Sequence, residues 1–209
     1  TVLSRGLGDV YKRQDEYFLN TSAALIGALG SIVAAWHRIR NGDEPISSKP
    51  GCTYAENFLH ILGAEKITPL MTRIMDATLV LHGEHTINAS TFTAMVTSST
   101  LANASQVVAS AIGSLSGPLH GGANEKVIAM LQKIESKEEI RPWLDETLKA
   151  KNVVWGMGHR EYSVKDPRAN ILTDMVQELF EEREGGVTDI FDKAIELEKA
   201  CDCLLYTSP

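Results

Sequence analysis

The chain predicts an all-α fold. Apolar residues recur at helical spacing through most of the 209 positions, no segment alternates as a strand does, and helix starts and stops punctuate it at regular intervals. Phe18 to Arg40 reads as a long buried helix, stopped by Asn41-Gly42. Asp43 to Gly51, with Pro45 and Pro50, is a loop. Tyr54 to Leu62 is a short helix with Phe58, Leu59 and Leu62 on one face and Gly63 after it. Thr68-Pro69 caps a third helix running to about His82. "GEHTINASTFTAMV" interrupts the apolar pattern, and helix resumes near Asn88. "SQVVASAIGSL", residues 105–115, is rich in the small residues that let helices pack closely. Glu125 to Ile134 places Val127, Ile128, Leu131 and Ile134 on one stripe, and Ile140 to Ala150 forms another helix.

"DPRANILTDMVQELFEERE", residues 166–184, is the plainest helix. Asp166 is a good cap, Pro167 suits the first turn, and Ile171, Leu172, Met175, Val176, Leu179 and Phe180 form a continuous apolar face. Gly185-Gly186 ends it, and Thr188 to Ala200 is the last helix. The two ends depart from this pattern. "TVLSRGLGDVYKRQ" and "CDCLLYTSP" lack helical periodicity and resemble translated sequencing-adapter sequence. Residues 1–14 and 203–209 are therefore expected to be non-native, leaving 15–202 as the helical portion.

Composition narrows the function. Hydrophobic residues make up 44% and charged residues 22%, the balance of a globular soluble chain, and the net charge of −7 contains no basic block to attract nucleic acid or an anionic membrane. The apolar stretch Ala23 to Trp36, broken by Gly27, Gly30 and Ser31, is shorter than the roughly 20 residues a membrane span needs. No secretory signal pattern opens the sequence. Cys52, Cys201 and Cys203 are too few and too clustered for a disulfide framework and suit a reducing compartment. Cys201-x-Cys203 lacks the second pair a zinc site needs.

Chemistry concentrates in three histidines with unusual neighbours. His85 sits at a helix junction in Glu84-His85-Thr86-Ile87-Asn88. His120 sits in Gly117-Pro118-Leu119-His120-Gly121-Gly122, a tight turn opening a helix, and His159 follows Trp155-Gly156-Met157-Gly158. Arg168 lies in the first turn of the helix that Asp166 caps. The histidines are too far apart in sequence for an i, i+4 metal pair, and no Gly-x-Ser-x-Gly elbow offers a nucleophile. Neutral imidazoles and a guanidinium suit an oxygen-rich anion instead. Imidazole N–H groups polarise carbonyl oxygens, the positive end of a helix favours a neutral over a protonated imidazole, and arginine pairs carboxylates in a fork. "VVWGMGH" supplies bare backbone that a flat or phosphorylated ligand can approach closely. A loop histidine with no such role remains the plain alternative at each position.

"EHTINAST", "GPLHGGANEKV" and "GMGHREYSVKDPRA", in this order, resemble the citrate synthase family, and "YAENFLHIL" and "LVLHGEHT" agree. No single motif is specific; the set, spread over residues 15–202, is. The resemblance implies a multi-helical citrate-synthase-like portion of large and small domains, cut from within a longer enzyme. It implies that acetyl-CoA, oxaloacetate and water give citrate and CoA, with no metal or cofactor and acetyl-CoA as substrate. His120 would then stabilise the enol of the thioester, and His159 would polarise the oxaloacetate ketone and protonate the new alkoxide. His85 and Arg168 would bind oxaloacetate, Asn88 would help or merely cap a helix, and Val153, Val154, Gly156, Met157 and Gly158 would line the CoA adenine site.

The family's catalytic aspartate lies in an "NVDFYSG"-like segment that nothing here matches, so the segment alone is expected to be inactive. A homodimer in the cytoplasm or an organelle matrix is implied, with no nucleic-acid or membrane partner. The 2-methylcitrate synthases, which use propionyl-CoA, share the three motifs, and a non-catalytic helical module of the same fold is the third reading.

Overall fold

The computed structural model describes the backbone of residues 2–83, 86–157, 165–182 and 188–205, and side chains within 16–83, 86–157, 165–181 and 188–202. Among these, nine α-helices and one short 3-10 helix form, and no strand. The chain divides into two compact units: Thr1–Glu84 with Ala102–Gln106, and His85–Leu101 with Val107–Pro209.

The first unit holds α1 (Val2–Arg40), α2 (Tyr54–Leu62) and α3 (Pro69–Leu81), with α2 packed on α1 and α3 on α2. The Thr68 cap and the Gly63 stop expected from the sequence are in place, and Thr53 adds a cap that the sequence reading did not single out. Thr53 and Thr68 each accept a hydrogen bond from the amide three residues on, at 3.2 Å, and Gly63 ends α2 in the left-handed conformation, φ 102°. The close approach of α2 to α1 depends on Gly30. The Tyr54 hydroxyl donates to the Ile26 carbonyl at 2.9 Å, and a Cβ on Gly30 would lie 2.5 Å from that hydroxyl.

Two expectations for α1 are corrected. The helix is not a buried one: Ala34 is buried, but Tyr17, Phe18, Leu19, Ile32 and Trp36 are all more than 60% exposed. Among the described residues the nine-residue α2 is the main helix packed on α1, which is too narrow a cover for an apolar surface that runs round most of the helix. Nor does the helix stop short of a membrane-spanning length. It continues through Gly27, Gly30 and Ser31, so Glu16–Arg40, 25 residues containing an 18-residue window of mean hydropathy 1.7, is long and apolar enough to cross a membrane by length and composition. Two glycines and a serine weaken the helix without ending it, because good helix formers flank them on both sides. The same continuity makes 2–14 part of α1 rather than a patternless tail.

The second unit holds α4 (Ala89–Ser99), α5 (Ala104–Leu115, whose first turn belongs to the first unit), α6 (Gly122–Lys133), the 3-10 turn Lys137–Glu139, α7 (Ile140–Lys149), α8 (Pro167–Glu182) and α9 (Asp189–Leu205). Asn103 and Gln106 cap α5 reciprocally: each side-chain oxygen accepts from the other's amide, at 3.0 and 3.3 Å. Helices α6, α7 and α9 close on Met130, Leu131, Ile134, Ile140, Leu144, Leu197, Ala200 and Cys201. Phe180 of α8 meets Phe191 of α9 with ring centroids 5.2 Å apart. Lys193 is buried against this core and closes an ion pair with the exposed Asp189 at 2.5 Å. The last helix runs five residues past the expected Ala200, so 203–205 are helical too, and α6 starts three residues before the expected Glu125.

Two outcomes follow from this packing. Gly27→Ala should stabilise the chain by about 0.5–1 kcal/mol, because a methyl there meets nothing within 4 Å and glycine is a poor helix former. Gly30→Ala gains the same propensity but displaces the Tyr54 hydroxyl. It forfeits a hydrogen bond worth about 0.5–1.5 kcal/mol and adds overpacking of about 1–3 kcal/mol, so it should destabilise. Urea midpoints of the two variants should therefore move in opposite directions.

Cys201 gives the second outcome. Burial, with the adjacent Asp202 adding to it, pushes its thiol above the ordinary range. The folded thiol thus holds its proton more tightly than the unfolded one. The stability this contributes is present at neutral pH and is lost as pH rises through the folded value. Alkylation with iodoacetamide at neutral pH, read by peptide mass spectrometry, should label the half-buried Cys52 and leave Cys201 unmodified until the chain unfolds.

Candidate active site

Helix α5 ends at Leu115, and the chain then turns through six residues before α6 begins. The turn is held by hydrogen bonds within itself and to the end of α5. The His120 amide donates to Gly117 at 3.0 Å, Gly121 to Leu115 at 2.9 Å, Gly122 to Gly117 at 3.2 Å and Ala123 to His120 at 3.1 Å. Gly121 is required by space: a Cβ would lie 2.5 Å from the Leu115 carbonyl. The result is an imidazole fixed two residues ahead of a helix, half-buried, while neighbouring Leu119 is 89% exposed.

The ring is oriented from outside its own turn. Its Nε2 lies 2.7 Å from the Ser90 hydroxyl, in the first turn of α4 and 30 residues away in sequence. Sequence reasoning missed Ser90. It belongs to the quoted "EHTINAST", but a serine in a helix's first turn looks like local capping, and only tertiary contact separates the two roles. Asn88 does have the local role. It is the N-cap of α4, and its Oδ1 accepts from the Thr91 amide at 3.0 Å. Of the two roles expected for Asn88, the described geometry carries the cap.

Arg168 opens α8 with its guanidinium on Asp166. Nε lies 3.0 Å from both carboxylate oxygens and Nη2 lies 2.6 Å from Oδ2, while Oδ1 also accepts the Arg168 amide at 2.9 Å. Asp166 therefore caps the helix and aims the arginine at once, which leaves its carboxylate engaged. One residue earlier, Lys165 pairs with Glu198 of α9 at 2.6 Å and ties the start of α8 to the core.

The segment expected to receive the adenine side of CoA folds as a β-turn. The Met157 amide donates to the Val154 carbonyl at 3.3 Å, and Gly156 occupies the third position at φ 87°, where a type II turn requires glycine. Val154, Trp155 and Met157 pack on the core, whereas Val153 is 64% exposed. The segment thus offers an open backbone edge at Val153 and Gly156 on a rigid underside. His85, Gly158 and His159 lie outside the described residues. Among the described residues no group of three or more His, Cys, Asp or Glu side chains is placed to hold a metal. A cavity of about 530 Å³ opens in the first unit between the starts of α2 and α3, lined by Thr53, Glu56, Thr68, Arg73 and Asp76, and none of the predicted site residues lines it.

Comparison with known proteins agrees with the motifs. The family model "Citrate synthase, C-terminal domain" matches residues 2–208. A citrate synthase of Acidithiobacillus ferridurans is 45% identical over 175 residues, covering 84% of this chain and 45% of that protein. A citrate synthase of Synechocystis is 44% identical over 200 residues, 94% of this chain and 50% of that protein. A 2-methylcitrate synthase of Shewanella oneidensis is 34% identical over 183 residues, 87% of this chain and 47% of that protein.

Among solved structures, the ternary complex of Thermoplasma acidophilum citrate synthase with carboxymethyl coenzyme A and oxaloacetate superposes with a TM-score of 0.78. It is 30% identical and covers 88% of this chain and 48% of that one. The chain spans about half the length of the curated relatives it matches. With the all-α architecture, the glycine-framed His120 and the match over nearly every residue in agreement, the chain belongs to the citrate synthase family.

Proposed function

We propose that this chain is the portion of a citrate synthase that binds acetyl-CoA and activates it toward oxaloacetate. The observation that carries the reading is the fixing of His120 by its glycine turn and by Ser90. A neutral imidazole has one N–H and one lone pair. When the Ser90 hydroxyl donates to Nε2, 2.7 Å away, the ring proton sits on Nδ1, and Nδ1 is then the donor offered to a thioester oxygen.

The reaction follows from that donor. A base removes a methyl proton from acetyl-CoA, and His120 hydrogen-bonds the oxygen on which the enol charge develops. The enol carbon attacks the oxaloacetate ketone, His159 gives a proton to the new alkoxide, and water then cleaves the citryl thioester to release citrate and CoA. His85 and Arg168 hold oxaloacetate, with Asp166 setting the direction of the guanidinium. No residue of this chain is assigned as the base, and Asp166 is engaged by Arg168 and by the helix cap. Acetyl-CoA is a substrate, and the scheme needs no resident cofactor.

The uncovered apolar surfaces fit the same reading. The relatives' chains are about twice as long, which supplies further helices to cover α1. The exposed Phe92, Met95 and Val96 of α4 suit a homodimer interface. Propionyl-CoA as the thioester is the second reading, supported by the lower-identity relative; one methylene is worth only about 1–3 kcal/mol of discrimination.

The test follows CoA release in the full-length enzyme. Release from acetyl-CoA should depend on oxaloacetate. His120→Ala should lower kcat by about 10²–10⁴-fold, the range of one positioned proton-transfer or oxyanion group. Ser90→Ala should lower it by about tenfold, the loss of one hydrogen bond, with little change in melting temperature. Release that ignores oxaloacetate, or a fully active His120→Ala, refutes the assignment. A higher kcat/KM for propionyl-CoA than for acetyl-CoA selects the second reading.

A further inference from the structure

We propose that Lys126 and Trp155 form a latch that holds the CoA-binding turn to the helix opened by His120, making both of them positioning residues for the thioester. This rests on the citrate synthase reading.

The Lys126 ammonium stands 4.1 Å from the centroid of the Trp155 ring, within cation–π range. Trp155 occupies the second position of the Val154–Met157 turn, so the contact fixes the turn itself and not a distant flank. A second contact lies alongside. Gly156 comes so close to α6 that a Cβ there would be 3.1 Å from Val127 Cγ2. Lys126 and Val127 are adjacent on α6, about one helical turn beyond its start at Gly122, and His120 lies two residues ahead of that start. The turn that carries the backbone for CoA and the histidine that meets the thioester oxygen are therefore both attached to the N-terminal half of one short helix.

The chemistry of the pair suits this task. Val154, Trp155 and Met157 rest on the core, but a turn held only by apolar contact can slide across it. A cation over the indole face sets the register of Trp155, and the lysine keeps its charge at the surface while its stem lies along the protein. The placement matters because the thioester must meet His120 and a base together, and a small misplacement of a bound reactant is costly.

Kinetics of the full-length enzyme test this. Lys126→Met should raise KM for acetyl-CoA about three- to tenfold, the size of one cation–π contact, and leave KM for oxaloacetate and the melting temperature unchanged. Lys126→Arg should restore it, because a guanidinium stacks on an aromatic face. Trp155→Leu should resemble Lys126→Met, and the double variant should be no worse than either alone, since the two act as one unit.

A lysine that instead pairs directly with the phosphate of CoA gives effects that multiply, and its loss disappears with the acetyl thioester of dephospho-CoA. Either result overturns the latch. The dephospho comparison decides the matter on Lys126→Met alone if Trp155→Leu fails to fold. An unchanged KM in Lys126→Met also overturns it. Absence of oxaloacetate-dependent turnover in the unsubstituted enzyme is a different failure, of the citrate synthase reading itself.

Discussion

The closing of α6, α7 and α9 on one apolar cluster is the constraint on which the rest of the second unit depends. Leu131, Ile140, Leu144 and Leu197 are at most 2% exposed and come from three helices that the sequence separates by up to 66 residues (197 − 131). Each such side chain removed from water contributes about 1.5–3 kcal/mol, enough to hold the polar parts resting on it. The Val154–Met157 turn lies on this cluster, Lys165 ties the start of α8 to α9, and α6 projects its first turn toward the His120 bend. The candidate site is thus built at the edge of a packed layer, and its positions are set by what that layer permits.

The layer fixes backbone, and polar contacts then fix side chains. His120 has its main chain locked by four turn hydrogen bonds and its ring by Ser90. Arg168 has its guanidinium locked by Asp166, whose carboxylate also caps α8. A charged side chain with several rotatable bonds loses about 1.5–2 kcal/mol of rotamer freedom when ordered. An internal carboxylate bears that cost before any ligand arrives. Both arrangements pair a side chain of the candidate site with a second group that aims it.

The first unit is organised on another scale. There the fit of Tyr54 over Gly30 brings α2 onto α1, and most of the apolar face of α1 is left uncovered. A helix apolar on nearly all sides is a helix meant to be surrounded.

The sequence by itself determined the helices, their caps and the family. Thr68, Asn88 and Asp166 each cap the helix they precede, because capping is a bond between residues two or three apart and needs no tertiary partner. It also singled out His120, since glycines on one side and Pro118 on the other leave few backbone paths. What it could not determine is whatever depends on residues far apart in the chain. Burial of α1 was misjudged because apolar character records what a helix can bury, whereas burial depends on which neighbours are present. Helix ends at 2–14 and 203–205 were misjudged because continuation of an established helix needs little periodicity of its own. Ser90 against His120 and Lys126 against Trp155, 30 and 29 residues apart, were decided by tertiary structure alone. A hydroxyl or an ammonium carries no mark of its partner until packing brings the two within reach, and there distance selects one pair from many that the sequence allows.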